Sequence, residues 1–188
     1  KIILNIAQKF SQVKLQRRIG KKGLATAIAD GISLAKGDII IWMDSDLSQP
    51  ASLIHELMNV LQNYDIAVAS RFVSGGGAQA PFFRKVSSLL IRFFAQMVLN
   101  WRVRDWTSGF IAVKKEVFQK VKLRPLGKGY GEYFIAFLFD ALCSGFKIKE
   151  IPYTYIFRTR GETKTSPDLW TFLRLGISYC LIIVSLFL

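Results

Sequence analysis

Gly37-Asp38-Ile39-Ile40-Ile41-Trp42-Met43-Asp44-Ser45-Asp46-Leu47-Ser48 is the stretch on which the reading of this sequence turns. The apolar run from Ile39 to Met43 lacks the alternation of a half-exposed strand, so it predicts a strand covered on both faces within a parallel sheet. Two carboxylates follow at once. In extended chain Asp44 and Asp46 project to one side, and open α/β sheets bind ligands outside the carboxyl ends of their strands. The pair therefore predicts a place where a hard divalent cation is shared with the oxygens of a diphosphate.

Helical and strand-like segments alternate on both sides of this stretch. Upstream, Lys1 to Phe10 reads as an amphipathic helix and Val13 to Arg18 as a short strand. The basic turn Gly20-Lys21-Lys22-Gly23 then opens a helix over Leu24 to Ala35, with Leu24, Ala27, Ile28, Ile32 and Leu34 on its apolar face. Downstream come a helix over Ala51 to Asn63, with Pro50 near its first turn, and a strand over Ile66 to Ser70. Such alternation predicts a mainly parallel α/β sheet with right-handed crossovers.

Beyond residue 70 the pattern changes. Ser74 to Ala78 reads as a flexible glycine loop, and a long helix from Pro81 to about Trp101 mixes aromatic with basic residues. Periodicity allows two placements for it, in a lipid headgroup region or against a core with a solvated basic edge. A short strand near Ile111 to Val113, a helix from Lys115, a basic loop over residues 124–131, a helix over Glu132 to Ser144 and a strand over Lys147 to Phe157 follow. Glu132 either caps its helix or belongs to a site. Leu175 to Leu188 is almost wholly apolar and would span about 20 Å as a helix, short of the roughly 30 Å hydrocarbon core. It is read as the start of a membrane segment, so residues 1–167 form a catalytic domain and 168–188 an apolar helix.

Composition narrows the function. The 188 residues carry a formal net charge of +13, which calls for an anionic partner, yet 51% of them are hydrophobic. A membrane surface or a phosphorylated ligand suits that combination better than RNA or DNA, and no RNP, zinc-finger or helix-turn-helix signature is present. With His55 the only histidine, and Cys143 and Cys180 the only cysteines, a catalytic triad built on several histidines and a zinc framework are both excluded.

Seven motifs occur in order: Arg18 with Gly20-Lys21 and Gly23-Leu24; Met43 to Ser48; Ser70-Arg71-Phe72 with Gly75-Gly76-Gly77; Asp105-Trp106-Thr107-Ser108-Gly109-Phe110; Gly129-Tyr130-Gly131-Glu132; Glu150-Ile151-Pro152; and Arg158 with Gly161-Glu162 and Lys164. Together they resemble the family 2 glycosyltransferases, in the branch of dolichol-phosphate mannose synthases and polyprenyl-phosphate glycosyltransferases. The resemblance implies a GT-A fold and an inverting transfer of mannose or glucose from a nucleoside-diphosphate sugar to a polyprenyl or dolichyl phosphate, at the cytoplasmic face of a membrane. It also implies a nucleotide-binding portion upstream of Lys1, where the family carries its base- and ribose-binding strands. A polysaccharide synthase of the same fold is the rival, but its Gln-x-x-Arg-Trp motif does not occur.

Residue roles follow from the same resemblance. Asp44, Asp46 and Ser48, the last at the position of the family's usual glutamine, are the expected ligands of Mg²⁺ or Mn²⁺. Arg158 and Lys164 are expected to close over the donor diphosphate, with Asp105 on the sugar hydroxyls. Arg71, Arg84 and Ser88 are expected to receive the acceptor phosphate, the last two lying four apart on one helix face. The arginine that often follows Thr-Ser-Gly-Phe is Ile111 here.

Overall fold

The computed structural model describes residues 2–124, 131–156 and 169–188. Its centre is a four-stranded sheet of β1 (Ile39–Trp42), β2 (Ile66–Ser70), β4 (Ile111–Lys114) and β5 (Ile148–Pro152), in the order β1-β4-β2-β5. β2 is parallel to β5, whereas β4 is antiparallel to both β1 and β2. Three strands therefore run one way, as expected, with a reversed strand inserted among them. The expectation of parallel strands fails at β4, which follows the helix Phe82–Val98 but enters the sheet from the turn Asp105 to Phe110 in the opposite direction.

That reversal positions everything that follows. β1 and β2 point the same way on either side of β4, so their carboxyl ends leave the sheet at one edge, where β4 begins. The acidic turn, the 105–110 turn and Arg71 consequently share that edge.

β1 is the edge strand and only Ile40 in it is buried, which corrects the expectation of a strand covered on both faces. β2, flanked on both sides, is the strand with five buried residues in a row. Val13 to Arg18 is not a strand. Nothing in the described residues offers it a ladder, and Arg18 instead donates to Asp30 Oδ2 at 2.8 Å and to the Gly23 carbonyl, bracing the start of α2 (Leu24–Leu34). In α2 only Ala25 is buried, and Leu24 and Leu34 face solvent. α1 (Ile2–Lys9) buries no residue.

A 3₁₀ turn, Ala51–Leu53, leads into α3 (Ile54–Val60), which covers one face of the sheet through Leu57. α5 (Glu132–Cys143) covers the other, with Phe134, Phe137 and Leu138 fully buried. The expected strand over Lys147 to Phe157 breaks at Tyr153, and its second half, β6 (Thr154–Ile156), pairs with β3 (Gly77–Gln79) in a separate ribbon. Glycines 75–77 are accordingly packed, which corrects the expectation of a flexible loop. A Cβ on Gly76 would stand 2.6 Å from the Ser70 carbonyl oxygen, so only glycine lets this loop lie against the end of β2. The helix expected from Lys115 is a 3₁₀ turn, Lys115–Gln119.

α4 (Phe82–Val98) and α6 (Leu169–Phe187) pack on each other, and α6 also packs on α5. α6 thus buries one face, with Ile183 fully enclosed, and exposes Ile177, Leu181 and Phe187. Among the described residues no helix is long and apolar enough to cross a membrane.

Candidate active site

Three pieces meet at the shared edge of the sheet. The first is the acidic turn. Asp44 is exposed and Asp46 half-buried, and Asp46 Oδ1 accepts from both the N–H (3.1 Å) and the hydroxyl (2.6 Å) of Ser48. Leu47 between them sits at φ 63°, a left-handed conformation that a branched side chain adopts only when its surroundings impose it. Gln49 does much of the imposing. Buried to 2% exposure, it accepts from the Asp44 N–H at 2.7 Å and donates to the Ser108 carbonyl at 3.2 Å. The acidic turn is thereby tied to the turn that starts β4.

The donor set of this turn fits a hard divalent cation. Among the described residues no group of three or more His, Cys, Asp or Glu side chains surrounds one site. Mg²⁺ and Mn²⁺ are suited to such a place, since they are commonly held by one or two carboxylates and complete their shell with substrate phosphates and water. Ser48 is almost fully buried and its hydroxyl proton goes to Asp46. Its place in the structure is as the brace of Asp46.

The second piece is the 105–110 turn, and here the expected role of Asp105 changes. Its side chain has no exposure at all. Oδ2 accepts from the backbone N–H (2.9 Å) and Nε (2.8 Å) of Arg71, while Oδ1 accepts from Arg71 Nη2 (2.7 Å) and the Thr107 N–H (3.2 Å). Four donors occupy the four lone-pair sites of a carboxylate. A sugar hydroxyl finds neither room nor a vacant lone pair there.

Arg71 is the third piece. Burial alone would lower its pKa, but the Asp105 carboxylate more than offsets this and holds the guanidinium firmly charged. It also forms part of the wall of a cavity of about 1030 Å³ between α4, α6 and the β3–β6 ribbon. Leu89, Phe94, Leu181 and Val184 make that cavity mainly apolar, and Arg71, Lys85, Ser88 and Thr107 give it a few polar groups. Of the three residues expected to receive a phosphate, Arg71 and Ser88 meet on its wall. Arg84 lies in α4 four residues before Ser88, and its side chain is outside the described residues. Arg158 and Lys164 also lie outside them.

Two acids, Glu132 buried and Glu150 half-buried, complete the surroundings. Glu132, at the start of α5, accepts from the Gly131 N–H at 3.0 Å and from the Ser178 hydroxyl at 2.8 Å, so it ties down the residue before its own helix and also fastens α6. Glu150 accepts from the Arg104 and Asp105 N–H groups, both at 2.8 Å, and burial pushes its pKa up. Neither Gln49 nor Glu150 was among the expected site residues. Glu150 stood in plain view as a strand-end acid before Pro152, but its partner lies 45 residues away in sequence.

This arrangement has known counterparts. The chain matches the family described as "Glycosyl transferase family 2" over residues 1–122. It is 37% identical over 158 residues to the "Dolichol-phosphate mannosyltransferase" of Pyrococcus furiosus, covering 81% of this chain and 43% of that protein. It is 30% identical over 161 residues to the "Polyprenol monophosphomannose synthase" of Mycolicibacterium smegmatis, covering 82% of this chain and 60% of that one. The chain spans about half the length of these curated relatives. A crystal structure of glucosyl-3-phosphoglycerate synthase from Mycobacterium tuberculosis, in complex with Mn²⁺, uridine diphosphate and phosphoglyceric acid, superposes with a TM-score of 0.62 at 18% identity. The match covers 96% of this chain and 57% of that one. The α/β architecture is thus the expected GT-A fold, and with its acidic turn at the strand edge and a family match over most of its length, the chain belongs to glycosyl transferase family 2.

Proposed function

We propose that this chain is the catalytic part of an inverting hexosyltransferase that moves mannose or glucose from a nucleoside-diphosphate sugar to a polyprenyl phosphate at a membrane surface, on its cytoplasmic face. One observation carries the reading. Asp44 and Asp46 leave the sheet two strands away from Arg71, about 10 Å at ordinary strand spacing, and Arg71 opens onto an apolar cavity. A diphosphate at the first place and a lipid-borne phosphate at the second would meet head-on.

Such a reaction needs charge neutralisation more than proton transfer. A phosphate monoester has its second pKa near about 6, so at neutral pH it attacks without a dedicated base. Asp44 and Asp46 would hold a divalent cation, which supplies Lewis-acid relief of the charge on the departing diphosphate. Arg71 and Ser88, with Arg84, would hold the acceptor phosphate in line, and Arg158 and Lys164 would add cations on the donor side. The names of the relatives support a mannosyl group and a polyprenyl-type phosphate acceptor.

The apolar cavity wall favours a lipid over a soluble phosphorylated acceptor. Phe82, Leu90, Phe93 and Met97 on α4, and Ile177 and Leu181 on α6, stay exposed beside it, which suits a helix pair seated in a headgroup layer. A basic nucleic-acid-binding role would leave these apolar faces without a purpose.

The test is transfer of radiolabelled hexose to a polyprenyl monophosphate by the full chain in membranes, with and without EDTA. Mannose is tried first. Metal-dependent transfer to lipid, abolished by Asp46→Ala, is the expected result. Metal-independent transfer, full turnover by Asp46→Ala, or transfer to a soluble phosphorylated acceptor alone would refute it.

A further inference from the structure

We propose that Asp105 and Glu150 are positioning residues that aim Arg71 into the acceptor cavity, and that neither carboxylate touches substrate. The proposal rests on the acceptor reading of that cavity given above.

Arg71 is constrained on its edge and on one face. On the edge, Nε and Nη2 meet the two oxygens of Asp105 in a parallel fork, which fixes the guanidinium plane as a single hydrogen bond cannot. Nη2 also donates to the Thr107 hydroxyl at 2.8 Å. On the face, the Phe72 ring lies 5.2 Å from the Arg71 guanidinium, and the Arg92 guanidinium of α4 stands 5.0 Å from the same ring. A long side chain that would otherwise sample many rotamers is thus held in one pose before any ligand arrives, which lowers the entropy cost of binding an anion.

Glu150 acts one step further back. It belongs to β5 and is paired in register with Val68 of β2, so its backbone is fixed by the centre of the sheet. Its two oxygens take the N–H groups of Arg104 and Asp105, which sets the path of the chain into the turn and hence the direction in which the Asp105 carboxylate points. The path from sheet to guanidinium therefore runs through Glu150, Asp105 and Arg71. All four lone-pair sites of Asp105 are used along it.

The experiment is steady-state transfer by the full chain, with the concentrations of a short-chain polyprenyl monophosphate and of the sugar nucleotide varied separately. Asp105→Asn removes one arm of the fork and should raise the KM for the lipid phosphate about tenfold while leaving the KM for the sugar nucleotide within about twofold. Glu150→Gln keeps one acceptor and turns a donor toward the other N–H. It should move the same constant in the same direction by about threefold, and it carries the test if Asp105→Asn does not fold. The decisive variant is Arg71→Lys. If Asp105 acts through Arg71, adding Asp105→Asn to Arg71→Lys should worsen the acceptor KM no further.

A change confined to the donor KM or to the choice of sugar, or effects of Asp105→Asn and Arg71→Lys that multiply, would overturn the proposal. Unchanged constants in both carboxylate variants would do the same. These outcomes differ from failure of the acceptor reading, in which the unaltered chain would show no saturation by polyprenyl monophosphate at all, and which would overturn both.

Discussion

Asp46 and Asp105 are both aspartates at the same edge of one sheet, and they have opposite fates. Asp46 stands half-buried on a turn at the strand end, where its Oδ1 accepts from the N–H and the hydroxyl of Ser48 two residues on. Asp105 is wholly enclosed because a guanidinium from 34 residues away reaches it first. The contrast teaches that an acid in a motif becomes a ligand or a strut according to which positive group the fold delivers to it. Motif membership does not distinguish the two.

The largest effect that would sharpen this contrast is a split between activity and stability. Asp46→Ala should lower transfer by about a thousandfold or more with little change in melting temperature, since it removes charge organisation from an accessible site. Asp105→Ala should cost about 3–5 kcal/mol of stability, because it leaves the Arg71 charge buried without its partner. Thermal unfolding beside the transfer assay reads both, and equal stability loss in the two variants would erase the distinction.

A smaller effect concerns how α6 is fastened near the cavity. A Cβ on Gly131 would come within 2.5 Å of the Tyr179 hydroxyl, one residue from the Ser178–Glu132 hydrogen bond. Gly131→Ala should therefore displace α6 from α5, lowering stability by about 1–3 kcal/mol and weakening use of the lipid acceptor more than of the donor. An alanine variant that melts and turns over like the parent would show that α6 is not seated by this contact.

The smallest expected effect is a slope against pH. Burial raises the pKa of Glu150 in the folded state, so the folded chain binds that proton more tightly than the unfolded one. Its contribution to stability is then fully present below the unfolded value of 4.5 and is lost as pH rises through the folded value. Glu150→Gln has no such slope. The melting temperature of the variant relative to the parent should climb as pH is raised from about 4 to about 7, and a constant difference would contradict a raised pKa at Glu150.

Much of this was legible in the sequence because it is local. The apolar run before Asp44, the five-residue run of β2 and the periodicity of α4 and α5 are consequences of nearest-neighbour patterning, and strands and helices appear where those patterns lie. The failures that matter for the site involve a partner far along the chain. Val13 to Arg18 has strand composition but finds no ladder among the described residues. Glycines 75–77 look flexible, yet they close against Ser70 and pair with residues past 150. Ile39 to Met43 has the composition of a central strand and occupies an edge.

Residue types and short spacings alone carry the chemistry in outline: an acidic turn after an apolar strand, a basic and aromatic helix, an apolar helix, and motifs in the order of one glycosyltransferase family. Those are properties of residue type and short spacing. Strand pairing in the folded chain sets β4 backwards between β1 and β2, and so fixes which acids and bases share an edge. Hydrogen bonds and ion pairs form between groups within about 3 Å, and which groups come that close is set by strand order and packing, about which the spacing of residues along the chain is silent.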